Sequence, residues 1–260
     1  MSLHIQSSTQ GEGPDVILLH GLFGMGNNLG ALARALQDDF RVHCLDLPNH
    51  GRSGWLETMT LESLADGIRG WLRERGIARA HLCGHSLGGK VAMRIALDDP
   101  GQVDRLVVAD IAPVDYPAHH DAIFAALQAV RDRAPRSRSE AETVMRDFIV
   151  EEGVRQFLLL SLARGEDGRY QWRFNLDGLL RDYGAARGRL EASAPFTGPV
   201  LFIKGENSDY ILPQHREAIE SLFPAARLRV LQGCGHWLHA EQPRLFNATV
   251  RRFLLAPQGG

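Results

Sequence analysis

Short apolar runs recur along the chain at intervals typical of a mostly parallel sheet. They occupy residues 16–19, 42–45, 80–83, 106–109, 200–203 and 228–231, and each is followed by turn-forming residues. Runs of this length and composition predict buried parallel strands. Helical patterns lie between the earlier runs, for example at residues 61–75, with Thr60 as a possible N-cap and Gly76 as the stop. The alternation predicts an α/β fold in which helices flank a mostly parallel central sheet.

The alternation stops after Asp110. Residues 113–190 show helical periodicity without strand-like runs, and strands resume near Val200. Pro135, Gly153 and the turn at residues 165–168 divide this stretch into three or four predicted helices. We therefore expect residues 1–112 and 191–260 to form the core domain. Residues 113–190 are predicted to form a small helical lid, inserted over the carboxyl edge of the sheet, where ligands bind in such folds.

Charge and composition exclude several classes of partner. The 260 residues include 29 Lys and Arg against 31 Asp and Glu, so no overall basic field favours nucleic acid. The chain does not start with a basic segment followed by an apolar one, and no apolar run approaches about 18 residues. We expect a cytoplasmic enzyme without a membrane partner. The three cysteines predict neither a disulfide framework nor a zinc site, and the sequence leaves the oligomeric state open.

A serine lies at the centre of the strongest motif. Residues 84–88 read Gly-His-Ser-Leu-Gly, follow the strand at 80–83 and precede a helical stretch at 88–97. This strand-turn-helix context is the one that G-x-S-x-G requires, because the glycines leave room for a strained turn that exposes Ser86. The turn also places the hydroxyl near a helix N-terminus, which favours developing negative charge. Ser86 is therefore the predicted nucleophile.

Two glycine-rich segments partly match nucleotide-binding patterns. Residues 84–90 fit the first seven positions of the phosphate-binding pattern G-x-x-x-x-G-K-[ST], but Val91 lacks the hydroxyl that binds Mg²⁺. Gly24 and Gly26 begin a dinucleotide-binding pattern, yet Leu29 stands where a third glycine is needed. We therefore expect no nucleotide, metal or other cofactor.

The predicted general base is His236. It lies in the loop at residues 233–237, which follows the last strand, where this chain order places the histidine. The loop glycines allow the chain to fold back over the sheet edge toward Ser86. The other histidines, His20, His85 and His239 among them, are interpreted as structural or rim residues.

The acid that orients the imidazole is less certain from the sequence. It commonly follows the strand at 200–203 in a Gly-x-x-Asp turn, but here Ser208 occupies that position and Asp209 comes one residue late. The preceding strand delivers Asp110 to the same edge, so Asp110 is favoured over Asp209. Asp177 is a third candidate.

Two backbone N–H groups are needed to bind an oxyanion, one after the nucleophile and one from the loop after the first strand. Leu87 is predicted to supply the first. In the glycine-rich loop at residues 20–24, Leu22 is preferred for the second and Phe23 is the alternative.

Several separated motifs resemble those of the α/β-hydrolase superfamily, and more narrowly the small-lid esterases of the YbfF type. The superfamily match rests on His20-Gly21, the Ser86 motif and Gly235-His236. The narrower match rests on Asn49-His50-Gly51, residues 110–116 (Asp-Ile-Ala-Pro-Val-Asp-Tyr), residues 172–175 (Trp-Arg-Phe-Asn) and Gly235-His236-Trp237. The resemblance covers essentially the whole chain.

The resemblance implies hydrolysis of short acyl esters and acyl-CoA thioesters without a cofactor, and an acid on the strand before the lid, in agreement with Asp110. It also implies that aromatic residues, Tyr116, Tyr210 and Trp237, line the acyl crevice, and Phe23 is added as a substrate-binding candidate. The small-molecule partner is then an ester or thioester that is cleaved through an acyl-enzyme on Ser86.

Alternatives remain open at this point. Dehalogenases and epoxide hydrolases of this fold use a carboxylate nucleophile, which Ser86 argues against. A carbon-carbon bond hydrolase, a perhydrolase or a non-catalytic small-ligand receptor could carry the same serine and histidine. A run of arginines at 131, 133, 136 and 138 could meet a CoA phosphate, although a solvated helix end is the more common explanation.

Overall fold

The computed structural model describes residues 3–257 and contains a seven-stranded sheet and a separate two-stranded hairpin. The strands are β1 (Ser7–Gln10), β2 (Asp15–Leu19), β3 (Arg41–Leu45), β4 (Ala80–His85), β5 (Val103–Ala109), β6 (Leu162–Arg164), β7 (Tyr170–Trp172), β8 (Val200–Gly205) and β9 (Ala226–Leu231). The sheet order is β1-β3-β2-β4-β5-β8-β9, and β1 alone pairs antiparallel, with β3. The predicted α/β fold and its six parallel strands are confirmed.

The helices lie between the strands and in the predicted lid. They are α1 (Gly30–Leu36), α2 (Leu61–Glu74), α3 (Leu87–Asp98), α4 (Asp121–Arg133), α5 (Arg138–Met145), α6 (Glu152–Leu160), α7 (Leu176–Ala186), α8 (Arg216–Leu222), α9 (Leu238–Glu241) and α10 (Pro243–Leu254). Residues 113–190, named the lid segment below, form α4 to α7 and the β6-β7 hairpin.

Alternating strand side chains build a core on each face of the sheet. Ile17 and Leu19 of β2 belong to the core that α2 and α3 cover, whereas Val16 and Leu18 belong to the core that α1 and α10 cover. All four side chains are fully buried. A strand buried on both faces in this way needs a continuous apolar run, and this is the signal that the sequence carries.

The helix α2 shows how local signals fix an element. The Thr60 side chain accepts a hydrogen bond from the Ser63 amide at 3.1 Å, and Gly76 follows the helix with φ +65°. Leu64 and Ile68 are fully buried on the face that belongs to the core shared with α3. The predicted N-cap and stop are confirmed, because a capping oxygen and a left-handed glycine satisfy groups that the helix ends leave unpaired.

Three details differ from the prediction. The strand predicted as buried at 228–231 is an exposed sheet edge, and Leu228 is 57% exposed there. The lid segment contains the β6-β7 hairpin, which lacks an apolar run long enough to predict. Gly153 does not break a helix but lies in the first turn of α6.

Candidate active site

Ser86 occupies a strained turn between β4 and α3. Its backbone has φ 52° and ψ −118°, outside the regions that ordinary L-residues prefer, and its amide donates to the Ala109 carbonyl at 3.0 Å. A Cβ on Gly84 would lie 2.1 Å from the Gly88 carbonyl oxygen, and one on Gly88 would lie 2.2 Å from that of Leu19. Only glycine fits at either position, so the motif's glycines are required by the close packing of backbone around the turn.

A narrow crevice with a cavity volume of about 40 Å³ opens beside Ser86. Its lining is mainly apolar and aromatic and includes both residues predicted to bind the oxyanion, Leu22 and Leu87. Its other lining residues are Lys90, Ile111, Tyr116, His119, His120, Tyr183, Ala186, Arg187 and Tyr210. Several of these come from the lid segment, so the crevice lies between the lid segment and the carboxyl edge of the sheet.

Asp110 follows β5 and His236 follows β9, and the two side chains meet across the end of β8, which lies between those strands. His236 Nδ1 lies 2.8 Å from Asp110 Oδ2. The carboxylate is fully buried and takes two further hydrogen bonds: Oδ1 accepts from the Gly205 amide at 3.0 Å, and Oδ2 accepts from the Ser208 hydroxyl. A buried carboxylate with three donors around it stays in one orientation, and it therefore fixes the His236 ring.

The other acidic candidates lie elsewhere. Asp209 is exposed, and the Asp177 carboxylate is solvent-exposed and pairs with Arg131 at 2.7 Å. The sequence did not predict the role of Ser208, which stands where the acid of a Gly-x-x-Asp turn is common and instead donates to Asp110.

Two aromatic neighbours pack against the His236 ring. The neighbouring His85 donates from Nε2 to the His236 carbonyl at 2.8 Å, and the two ring centroids are 4.7 Å apart. Burial lowers the pKa of His85 well below its usual value, so its ring is a neutral donor. On another side, Tyr210 stacks on His236 with ring centroids 3.9 Å apart. Tyr210 lines the crevice together with Ser86, so this stack joins His236 to the crevice wall.

The glycine-rich loop after β2 approaches Ser86 through its backbone. A Cβ on Gly21 would lie 3.3 Å from the Ser86 Cβ. The loop turns over residues 21–24, where the Gly24 amide donates to the Gly21 carbonyl at 3.1 Å and Phe23 has φ 64°. A positive φ at the third position is the mark of a type II turn, which leaves the amides of Leu22 and Phe23 without an acceptor inside the turn. Leu87 is the first residue of α3, so its amide has no acceptor within the helix.

His20 braces the same loop. Its Nδ1 donates to the Gly21 carbonyl at 2.8 Å, and its Nε2 accepts from the Leu47 amide at 2.9 Å. Burial lowers its pKa to about 4, in keeping with a neutral ring whose tautomer is set by these two partners. The position agrees with the structural role predicted for His20.

The four predicted substrate-binding residues divide into two pairs. Tyr116 and Tyr210 line the crevice, and the Tyr116 hydroxyl donates a hydrogen bond to the Tyr210 carbonyl. The same hydroxyl accepts a hydrogen bond from the Ala112 amide at 2.8 Å. The structure does not bring the side chains of Phe23 and Trp237 into this lining. Phe23 is buried in an aromatic cluster with residues of the lid segment, and Trp237 packs on Phe157.

Three polar residues of the crevice lining, His119, His120 and Tyr183, were not predicted. His119 Nε2 lies 2.7 Å from the Tyr210 hydroxyl, and His120 Nδ1 is hydrogen-bonded to the Tyr183 hydroxyl. Burial lowers the pKa of His120 to about 4. These residues come from the lid segment or follow β8, and no sequence motif ties such separated positions together.

Lys90 is another crevice residue that the prediction did not assign. The side chain is buried, and its Nζ donates to the carbonyls of Val114 and Arg187 at 2.8 Å and to that of Gly188. Burial lowers its pKa to about 7. Because these carbonyls already use its three donors, Lys90 is not arranged like the lysine of a phosphate-binding loop.

The cysteines and the arginine run that the sequence analysis singled out make structural contacts or are buried in the core. Cys44, Cys83 and Cys234 are free and buried. Arg131 pairs with Asp132 and Asp177, and Arg138 donates to the Leu162 carbonyl at 2.8 Å. Within residues 3–257, no group of three or more His, Cys, Asp or Glu side chains is arranged to hold a metal ion. Over the same range, every helix is too short or too polar to cross a membrane.

Comparisons with known proteins agree with this architecture. The alpha/beta hydrolase family matches residues 16–249. The esterase YbfF of Escherichia coli (strain K12) is 40% identical over 98% of this chain and 99% of its own. The sn-1-specific diacylglycerol lipase ABHD11 of Mus musculus is 37% identical over 93% of this chain and 81% of its own. A solved marine microorganism esterase is 37% identical, with a TM-score of 0.93 over 97% of this chain and all of its own. The chain belongs to the alpha/beta hydrolase family.

Proposed function

We propose that this protein is a serine esterase that cleaves short-chain acyl esters or acyl-CoA thioesters through an acyl-enzyme on Ser86. The observation that carries the proposal is the contact of His236 with the buried Asp110 at 2.8 Å, at the same carboxyl edge of the sheet where Ser86 is held at φ 52°. A nucleophile, a base and a carboxylate that orients the base form the constellation that acyl transfer needs. The names of the relatives, an esterase and a diacylglycerol lipase, support ester hydrolysis.

In the proposed reaction, Ser86 Oγ attacks the acyl carbonyl carbon while its proton passes to His236 Nε2. The tetrahedral oxyanion accepts hydrogen bonds from the amides of Leu22 and Leu87. His236 then gives the proton to the leaving alcohol or thiol, and the acyl group stays on Ser86. A water that His236 activates attacks this acyl-enzyme and releases the acid.

Asp110 has one role in this scheme. Its carboxylate accepts a hydrogen bond from the Nδ1–H of His236, which leaves Nε2 of the same ring free to face Ser86. The buried negative charge also stabilises the imidazolium that forms during the reaction. The Ser208 hydroxyl and the Gly205 amide hold the carboxylate in place.

The crevice supports a small acyl group. Its aromatic and aliphatic walls suit an acyl chain, and its cavity volume of about 40 Å³ favours a short acyl group over a long one. The proposed thioester activity uses the same acyl chemistry with a different leaving group.

Turnover of graded substrates tests this function. Hydrolysis of p-nitrophenyl esters from acetate to palmitate, and of acyl-CoA thioesters of the same lengths, is measured with the native chain and with Ser86→Ala. We expect kcat/KM to be highest for short acyl groups and turnover to fall by several orders of magnitude in Ser86→Ala. Equal turnover by the two proteins would remove Ser86 from the reaction, and a preference for palmitoyl substrates would refute the short-chain assignment.

A further inference from the structure

A serine of the lid segment makes a buried hydrogen bond to the loop that carries the proposed oxyanion donors. The Ser161 hydroxyl donates to the Phe23 carbonyl at 2.6 Å, and Ser161 is 1% exposed. The two residues are 138 positions apart in the chain. This contact joins the lid segment to the residue that follows Leu22.

The backbone of Phe23 needs such external support. At φ 64°, a bulky residue lies in the left-handed region that glycine favours, and it stays there only when its surroundings enforce it. The peptide plane between Phe23 and Gly24 is held at both of its polar ends: the Phe23 carbonyl accepts from Ser161, and the Gly24 amide donates to the Gly21 carbonyl. Fixing this plane limits rotation of the preceding peptide, and so limits the direction of the Leu22 and Phe23 amides.

The anchor of the hydrogen bond is itself rigid. Ser161 lies between α6 and β6, and its carbonyl accepts from the Arg173 amide at 2.8 Å, which closes the base of the β6-β7 hairpin. The Phe23 ring packs against Phe124 and Phe174 of the lid segment, with centroids 5.3 and 5.5 Å away. The lid segment therefore holds both the carbonyl and the side chain of Phe23.

We infer that Ser161 is a positioning residue for the oxyanion site, and that the lid segment is a structural part of that site as well as one wall of the crevice. The inference rests on the proposed function, since an oxyanion forms only if Ser86 attacks an acyl group. It assigns Ser161 an effect on the transition state, because the amides bind the tetrahedral oxygen more strongly than the ground-state carbonyl.

Ser161→Ala removes the donor and deletes one atom, and Ser137→Ala is the matched control. Ser137 is also a serine of the lid segment with a structural hydrogen bond, since its side chain accepts from the Glu140 amide at 3.1 Å, but it has no contact with Phe23. We expect kcat to fall about 10- to 100-fold in Ser161→Ala, with KM within about threefold of the native value. Binding of a trifluoromethyl ketone, which mimics the tetrahedral oxyanion, should weaken by a similar factor. Ser161→Thr keeps the hydroxyl and should recover most of kcat.

Amide hydrogen exchange supplies a readout that does not depend on turnover. Exchange at residues 21–25 should be faster in Ser161→Ala than in the native chain and unchanged in Ser137→Ala. The inference is overturned if kcat in Ser161→Ala equals that of Ser137→Ala, if the threonine variant recovers nothing while folding normally, or if exchange in the loop does not change. A native chain that cleaves no ester would contradict the proposed function separately, and the exchange experiment would still decide whether Ser161 holds the loop.

Discussion

Replacing Asp110 by asparagine should invert the hydrogen-bonding pattern on His236. The Gly205 amide lies 3.0 Å from Oδ1 and requires an acceptor there, so the amide oxygen of an asparagine takes that position. Its NH₂ group then faces His236 Nδ1, which lies 2.8 Å from Oδ2 in the native chain. Nδ1 must accept rather than donate, and the ring proton moves to Nε2, the atom that should receive the proton of Ser86.

The magnitude follows from this change of tautomer. Loss of the correct tautomer in a serine-histidine-aspartate site lowers kcat by about 10⁴-fold, which corresponds to about 5.4 kcal/mol in activation free energy. The flipped asparagine offers no escape, because it would set its NH₂ group against the buried Gly205 amide and leave that donor unpaired. We therefore expect a loss of about four orders of magnitude in kcat with little change in KM.

The assay is steady-state hydrolysis of p-nitrophenyl acetate by Asp110→Asn and by Asp209→Asn. Asp209 is exposed and follows Ser208 directly, so it is a control for the same chemical change close to the site. Thermal unfolding verifies that both variants are folded. If Asp110→Asn kept kcat within tenfold of the native chain while Asp209→Asn lost it, the assignment of the orienting carboxylate would be wrong.

Two further predictions concern the surroundings of the site. Tyr210→Phe keeps the ring that stacks on His236 and should retain kcat within about threefold. Tyr210→Leu removes that stacked ring, so kcat should fall about tenfold in steady-state assays. Equal activity of the two variants would contradict this prediction. Burial lowers the pKa of His20 to about 4, below its unfolded value of 6.5, so the unfolded state binds more protons between those pH values and stability falls as the pH drops from 6.5 to 4. For His20 alone the loss reaches about 3 kcal/mol, and urea unfolding at pH 7.5, 5.5 and 4.5 should show it; a His20→Gln variant with the same pH dependence as the native chain would refute this source.

The elements that the sequence predicted well are those whose constraints are local. Ser86 could be identified because its glycines must flank a turn in which a Cβ would clash with the backbone. Asp110 could be favoured because β5 and β8 are parallel strands whose ends lie at one edge of the sheet, where the structure brings Asp110 to 2.8 Å from His236. Both arguments depend on backbone geometry that short motifs encode.

The features that the sequence did not predict depend on contacts between distant segments of the chain. The prediction of a buried strand at 228–231 is wrong, because Arg227 and Arg229 alternate with the apolar residues of β9 and such alternation is typical of a strand with a solvated face. Crevice residues such as Lys90 and His119 have no shared spacing, since separate segments bring them together. The bond from Ser161 to Phe23 is of the same kind, because no pattern within either segment indicates a partner 138 residues away.

The central claim is that Ser86 Oγ is the nucleophile of covalent catalysis. Active-site labelling tests this claim most directly. The native chain and Ser86→Ala are incubated with a fluorophosphonate, and intact and peptide mass spectrometry count and locate the adducts. The account predicts one adduct per native chain, located on Ser86, in step with loss of esterase activity, and none on the variant. An adduct on another residue that persists in Ser86→Ala, or full esterase activity after Ser86 has been labelled, would contradict it.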